Sequence, residues 1–279
     1  MQPELGAGSR QVEVESAGLI CSRRPGAKGS GRLITPEQVE RLPMLKETIS
    51  RFRQQFEELA DPERAAQEKR YLKSPFRFYG VSVPEIRAVA RQFKRENKDI
   101  SKEALWDLCQ ALWQGEFHEE RALAMVLLEE YRTLLDYSDL PSLERMLRES
   151  INWDQVDHIS VHLVDSVLRK DQRALQYLKR WSRDPNFWMR RAALLSQLLL
   201  FREGKGDRAL FYSFAGEMME EKEFFIRKAI GWVLRDVSRV DPDEVFRFVA
   251  ENRTRMSSVT LREATRRLPQ HLREQLTGR

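Results

Sequence analysis

From Thr35 onward the chain repeats one pattern. Apolar residues recur three and four apart in runs of about 11–18 residues, joined by short polar links. "TPEQVERL" opens the series with a Thr cap, Pro at the first helical position and Glu in the first turn. "SVPEIRAVARQFKREN" repeats that opening with Ser82, Pro84 and Glu85. "SKEALWDLCQALW", "FHEERALAMVLLEEY", "DLPSLERMLRES", "NWDQVDHISVHLVDSVL", "DQRALQYLKRWS" and "DPNFWMRRAALLSQLLLF" follow. "GDRALFYSFAGEMMEE", "KEFFIRKAIGWVLRDVS", "DPDEVFRFVAENR" and "SSVTLREATRRL" complete it. No strand-like alternation interrupts them.

Short paired helices of similar length predict an all-α fold, a superhelical stack of HEAT-like helical repeats (an α-solenoid) over residues 35–279. Identity between units is low, so the repeat is degenerate, and a compact irregular bundle is the competing arrangement. Residues 1–34 read as a disordered extension, because 1–32 are rich in Gly, Ser and Arg and carry no lasting periodicity.

Composition adds the solvent. With 41% hydrophobic and 33% charged residues the chain fits a soluble globular protein, and no apolar run approaches a membrane span. The N-terminal stretch lacks the apolar core of a signal peptide. Two cysteines, Cys21 and Cys109, have no metal-ligand neighbours, as expected of a reduced compartment. The expected location is cytoplasmic or nucleoid-associated. The net charge of +5 is unevenly spread. Residues 36–172 hold 21 basic and 26 acidic side chains, whereas 173–239 hold 14 and 8, and 253–279 hold 7 and 2. A basic excess beyond residue 172 points to a polyanion-binding surface.

Three stretches carry candidate chemistry. In "INWDQVDH", Trp153 and Asp157 lie one turn apart along one edge of the stripe made by Val156, Ile159, Leu163 and Val167. Asn152 is placed to cap, with Gln155 completing a capping box, and Asp154 suits the first turn, a structural duty. Asp157 lies deeper, at the rim of the core, where a carboxylate interacts strongly with a positive charge.

In "FFIRKAIGWVLRDV", Ile226, Ile230, Val233 and Val237 cluster within about 60° on a helical wheel, opposite Lys228, Trp232 and Arg235. Trp232 between two cations suits either burial against a neighbouring repeat or an aromatic on a nucleic-acid surface. In "DPNFWMRRAALLSQLLLF", Asp184 and Pro185 are placed to start the helix. Trp188, Leu194, Leu195 and Leu198 share a face from whose middle Arg191 projects. A cation there needs an anion, which a phosphate or an Asp or Glu would supply. Arg190 points about 100° away and reads as solvated.

His118, His158, His162 and His271 form no zinc spacing, and no phosphate loop, GxGxxG or GxSxG is present. Neither a metal nor a cofactor is expected.

"NWDQVDHIS", "FWMRRAALLSQL" and "KEFFIRKAIGWVLRDVSRVDPDEVFRFV" closely resemble the AlkD-type DNA alkylation repair glycosylases. "KRYLKSPFRFYGVSVPEIR" resembles that family's N-terminal helix pair and connecting turn. The resemblance runs from about Phe52 to Leu268. It implies a HEAT-like superhelix, acting as a monomer, that binds duplex DNA in a concave basic groove and excises N3- and N7-alkylated purines in base excision repair. It also implies site residues: Asp157, Trp153 and Trp232 for catalysis, and Arg191, Tyr71, Lys228 and Arg235 for DNA. Two departures are visible, Asn152 where the family often has tryptophan and the N-terminal extension.

The implied chemistry needs no general acid, because an alkylated purine is cationic and leaves neutral. Asp157 would stabilise the developing oxocarbenium-like sugar and position the attacking water. Trp153 and Trp232 would lie against the deoxyribose, Arg191 would hold a phosphate, and the base would stay in the helix. The competing reading is a non-catalytic helical-repeat protein that binds branched DNA or a protein partner. It leaves unexplained why Asp157 sits in a surface meant for a polyanion.

Overall fold

Residues 36–277, described by a computed structural model, fold into helices without a strand, and one isolated bridge joins Arg77 to Phe117. The extension expected over residues 1–34 lies outside the described residues. The helices are α1 (Pro36–Glu58), α2 (Pro62–Leu72), α3 (Val83–Glu96), α4 (Lys102–Trp113), α5 (His118–Glu130) and α6 (Leu140–Glu149). α7 (Trp153–His158) runs through a π-type segment, Ile159–Val164, into α8 (Asp165–Leu168). Then follow α9 (Leu175–Trp181), α10 (Phe187–Leu195), α11 (Leu198–Arg202), α12 (Arg208–Glu217), α13 (Phe224–Val237), α14 (Pro242–Asn252), α15 (Ser258–Thr265) and α16 (Gln270–Thr277).

Many start signals act as the sequence predicts. The Glu85 carboxylate accepts from the Ser82 backbone N–H at 2.8 Å, and Asp241 accepts from Glu244 N at 2.8 Å ahead of Pro242. Two starts differ. α10 begins at Phe187, not after Asp184, because Asp184 takes the Asn186 N–H and Asn186 then caps Trp188 N at 2.9 Å. Asn152 does not cap α7. Its amide turns away to the Leu72 carbonyl at 2.7 Å, while Gln155 accepts from Ile151 N at 3.2 Å instead of from Asn152 N, so the expected box does not form.

Serine hydroxyls mark two interruptions inside runs that read as single helices. Ser160 donates to Val156 O at 2.6 Å where α7 passes into the π segment, and Ser196 donates to Ala192 O at 2.7 Å where α10 gives way to α11. A hydroxyl that takes the i−4 carbonyl competes with the backbone ladder, and π segments gather at functional sites.

The repeat missing from sequence identity appears in the polar ties between units. In the row of first helices (α4, α6, α9, α12, α14), Trp106 donates to Asp139, 33 residues on, and Trp113 to Glu149, 36 on. Arg180 pairs with Glu144 and Arg208 with Glu244, again 36 apart. In the row of second helices (α5, α7–α8, α10–α11, α13, α15), Asp157–Arg191, Arg169–Glu203 and Arg202–Asp236 are 34 apart and Lys228–Glu263 is 35 apart. One helix pair thus stacks on the next in a regular helical-repeat array around one continuous core. The N-terminal ends of the second helices stand side by side. α13 packs closely on α15: a Cβ at Gly231 would sit 2.6 Å from the Glu263 Cβ.

Candidate functional site

Asp157 and Arg191 meet across adjacent repeats in a forked pair. Arg191 Nε donates to Asp157 Oδ1 at 2.7 Å and Nη2 to Oδ2 at 2.8 Å, while Nη1 donates to the Phe225 carbonyl at the start of α13. One guanidinium therefore fastens α7, α10 and α13 together. Its side chain is 3% exposed against 12% for Asp157, so the pair is a dipole with its negative end outward. Burial pushes the Asp157 carboxyl above its ordinary range, and Arg191 opposes that shift. Of the two anions that Arg191 could meet, the structure selects the carboxylate. All three of its donor nitrogens meet protein acceptors, Asp157 and the Phe225 carbonyl. Arg190, expected to be solvated, is partly buried. It forks onto Glu221 at 2.8 Å for both bonds and caps Asp184 O and Pro185 O.

Trp153, half-buried in the first turn of α7, meets the Tyr71 ring edge-on at 6.3 Å, although Tyr71 itself is 74% exposed. These two predicted residues are brought together at the surface, one helical turn before Asp157. Trp232 is half-buried, packed against the core two turns beyond Phe225 on α13. Lys228 and Arg235 do not form the free basic face that the wheel predicts. α15 packs over them, and both pair with the buried Glu263, Lys228 at 2.8 Å. Burial raises the Glu263 carboxyl, but its hydrogen bond to Lys228 and the charges of Lys228, Arg235 and Arg266 outweigh that and hold it low. Exposed cations without a described carboxylate partner stand nearby at Arg262 and Arg267.

Other polar residues around α7 escaped the sequence reading. Asp154, assigned to the helix start alone, also takes His118 Nε2 at 3.0 Å, and His118 stacks on Phe78 at 4.8 Å. Glu68 lies close enough that burial, then Glu119, raises its carboxyl. His158 and His162 converge on Glu129 at 3.0 and 3.3 Å, and Arg87 reaches the same carboxylate at 2.9 Å. Burial works against Glu129 ionisation, but the His158 bond and the His158, His162 and Arg87 charges bring it to about 2. Phe187, Trp188 and Phe225 form a ring cluster beside Arg191, with Trp188 and Phe225 centroids 4.9 Å apart. Residue types alone could have flagged the aromatics, but the His–carboxylate pairs span distances that no local motif encodes.

Among the described residues no group of three or more His, Cys, Asp or Glu is arranged to hold a metal, and no helix is long and apolar enough to cross a membrane. Cys109 is buried, with its thiol pushed upward by desolvation, so it is shielded from acting as a nucleophile. Clefts of about 640 Å³ (α1, α3 and α4) and about 450 Å³ (beside His162 and Asp165) open elsewhere, and neither is lined by Trp153, Asp157, Arg191 or Trp232.

A family model described as DNA alkylation repair enzyme matches residues 52–268. No curated protein matches the chain significantly. Among solved structures, the fold is similar to that of a predicted DNA alkylation repair enzyme from Enterococcus faecalis, with TM-score 0.69 and 28% identity, over 76% of this chain and 97% of that one. AlkD2 from Streptococcus mutans shares the fold at TM-score 0.52 and 20% identity, over 67% of this chain and 90% of that one. So does smu.31 from Streptococcus mutans UA159, at 0.51 and 18%, over 67% and 93%.

Proposed function

The chain belongs to the DNA alkylation repair enzyme family and has a role in DNA repair, and from that premise we propose that it is a DNA glycosylase releasing N3- and N7-alkylated purines from duplex DNA. The observation that carries the reading is the Asp157–Arg191 pair: a carboxylate fixed in place, nearly dry, with its negative end outward, one helical turn from half-buried Trp153 and its exposed partner Tyr71.

The reaction needs little more. The glycosidic bond of a cationic alkylpurine breaks with its electron pair moving to the base, which leaves neutral. Positive charge develops on the deoxyribose. Asp157, kept ionised by Arg191, stabilises that charge with a preorganised field that no solvent needs to rearrange to create. Water then bonds to the sugar carbon and loses a proton. Trp153 and Trp232 lie against the deoxyribose and backbone, with their ring faces toward the developing cation. Arg191 acts on Asp157 instead of on phosphate. Duplex lies across the aligned N-termini of the second helices, whose dipoles favour phosphate. Lys228, Arg235 and the exposed Arg262 and Arg267 contribute the longer-range attraction. In this reading the base stays in the stack, where bulky adducts are tolerated.

The test is base release from a duplex carrying N7-methylguanine under single-turnover conditions. Release well above the spontaneous rate is expected. Tight DNA binding with release at the spontaneous rate would replace this reading with binding alone, of branched DNA or of a protein partner.

A further inference from the structure

α2 is the one helix of the N-terminal repeats that buries no residue, yet it carries Tyr71. Its ties to other elements gather at its first turn. Asp61 N donates to Tyr79 O at 3.0 Å, and Arg64 reaches Gly80 O at 3.5 Å and Glu85 at 3.5 Å. There the backbone approach is so close that a Cβ at Gly80, which has φ +83°, would lie 2.0 Å from Asp61 O. The other end is different. Lys69, Arg70, Tyr71 and Lys73 are all exposed, and the three cations pair with no described carboxylate. Lys73 takes the left-handed conformation, φ 50°, that glycine usually fills. Across from this basic, aromatic tip stands Asn152. It is 6% exposed, 80 residues away in sequence, and it donates its amide N–H to Leu72 O at 2.7 Å.

We infer that Asn152 is a positioning residue: its bond to Leu72 latches the free end of α2 to the start of α7 and so sets Tyr71 and its flanking cations beside Trp153, where they grip the phosphate backbone of the duplex. The geometry favours a latch over a cap. A capping side chain would accept from its own helix, whereas this one donates to another, one residue from each member of the Tyr71–Trp153 pair. A single hydrogen bond at the end of a helix without buried anchors governs local opening, since little else opposes it. The inference rests on the DNA-contacting reading of Trp153 above, but not on excision.

The test is a double-mutant cycle with Asn152→Ala and Tyr71→Ala, read by equilibrium binding to duplex and by amide exchange of α2. Asn152→Asp is the near-isosteric alternative that turns the donor into an acceptor. Asn152→Ala should speed exchange of the last turn of α2 by about five- to tenfold and weaken duplex binding by a similar factor. In the Tyr71→Ala background the same substitution should change binding little, because the two act through one contact. Equal binding losses in both backgrounds, or unchanged α2 exchange in Asn152→Ala and Asn152→Asp alike, would overturn the latch. A parent protein that binds duplex but releases no base would instead overturn the glycosylase reading and leave the latch standing.

Discussion

Two buried carboxylates one ladder apart, Asp157 and Glu263, face the same problem and solve it differently. Each sits at a junction between neighbouring repeats and each meets a cation 34 or 35 residues away. Asp157 has one partner, matched fork to fork and sealed to 3% exposure. Glu263 lies between two cations, with the Lys228 side chain 40% exposed and Arg235 20% exposed. The first junction is neutral overall and rigid; the second leaves a surplus of positive charge at the surface. A single architecture thus yields a fixed carboxylate suited to chemistry and, two helices on, an attractive field suited to a polyanion.

Cutting each pair should expose the difference most strongly. Arg191→Ala leaves the Asp157 charge buried without a partner and should cost about 3–5 kcal/mol in denaturant unfolding. A loss below that of an ordinary surface change would mean water reaches the pair freely. Gly231→Ala attacks the second junction sterically. Its Cβ would press on the Glu263 Cβ at 2.6 Å, so overpacking of about 1–3 kcal/mol is expected, with α15 displaced.

Glu263→Gln should be milder, about 1 kcal/mol, because partly exposed Lys228 and Arg235 regain water. It should also tighten duplex binding and steepen the salt dependence by about one unit of slope. Weaker binding in this variant would deny the second junction its electrostatic role.

A third carboxylate sharpens the contrast, since Glu129 pairs with groups that titrate. Burial, then the His158 charge, pulls His162 down to about 4 from 6.5. The unfolded chain therefore takes up a proton that the folded chain refuses. Stability from this site is complete above 6.5 and falls as pH drops toward 4. Below 4.5, protonation of Glu129 in the unfolded chain adds a second loss. Thermal melting between pH 6.5 and 4.5 should be flatter in His162→Gln. An unchanged slope would place His162 in solvent.

The helices were legible because amphipathic spacing is local and the Ser, Pro and Glu start signals are short-range. So was the placement of Trp153 and Asp157, one turn apart at the edge of a stripe. What was not legible depends on partners a repeat away. Arg191 demanded an anion, but spacing could not say whether that anion was phosphate or Asp157. The wheel put Lys228 and Arg235 opposite the core stripe without showing that α15 covers them with Glu263. Asn152 looked like a cap because caps are local, and its true acceptor lies on α2. The ladder itself links unlike residue pairs, such as Trp106–Asp139 and Arg208–Glu244, so no sequence self-similarity betrays it.

The central claim is that Asp157 supplies the field for catalysis and that Arg191 only holds it. The double variant Asp157→Asn/Arg191→Gln removes both charges together while keeping polar groups of similar size, so no unpaired buried charge remains to unfold the protein. It should melt closer to the parent than either single variant and bind duplex at least as tightly. Single-turnover release of N7-methylguanine should nevertheless fall on the order of 100-fold. Release at the parent rate from this folded, DNA-binding variant would contradict the account.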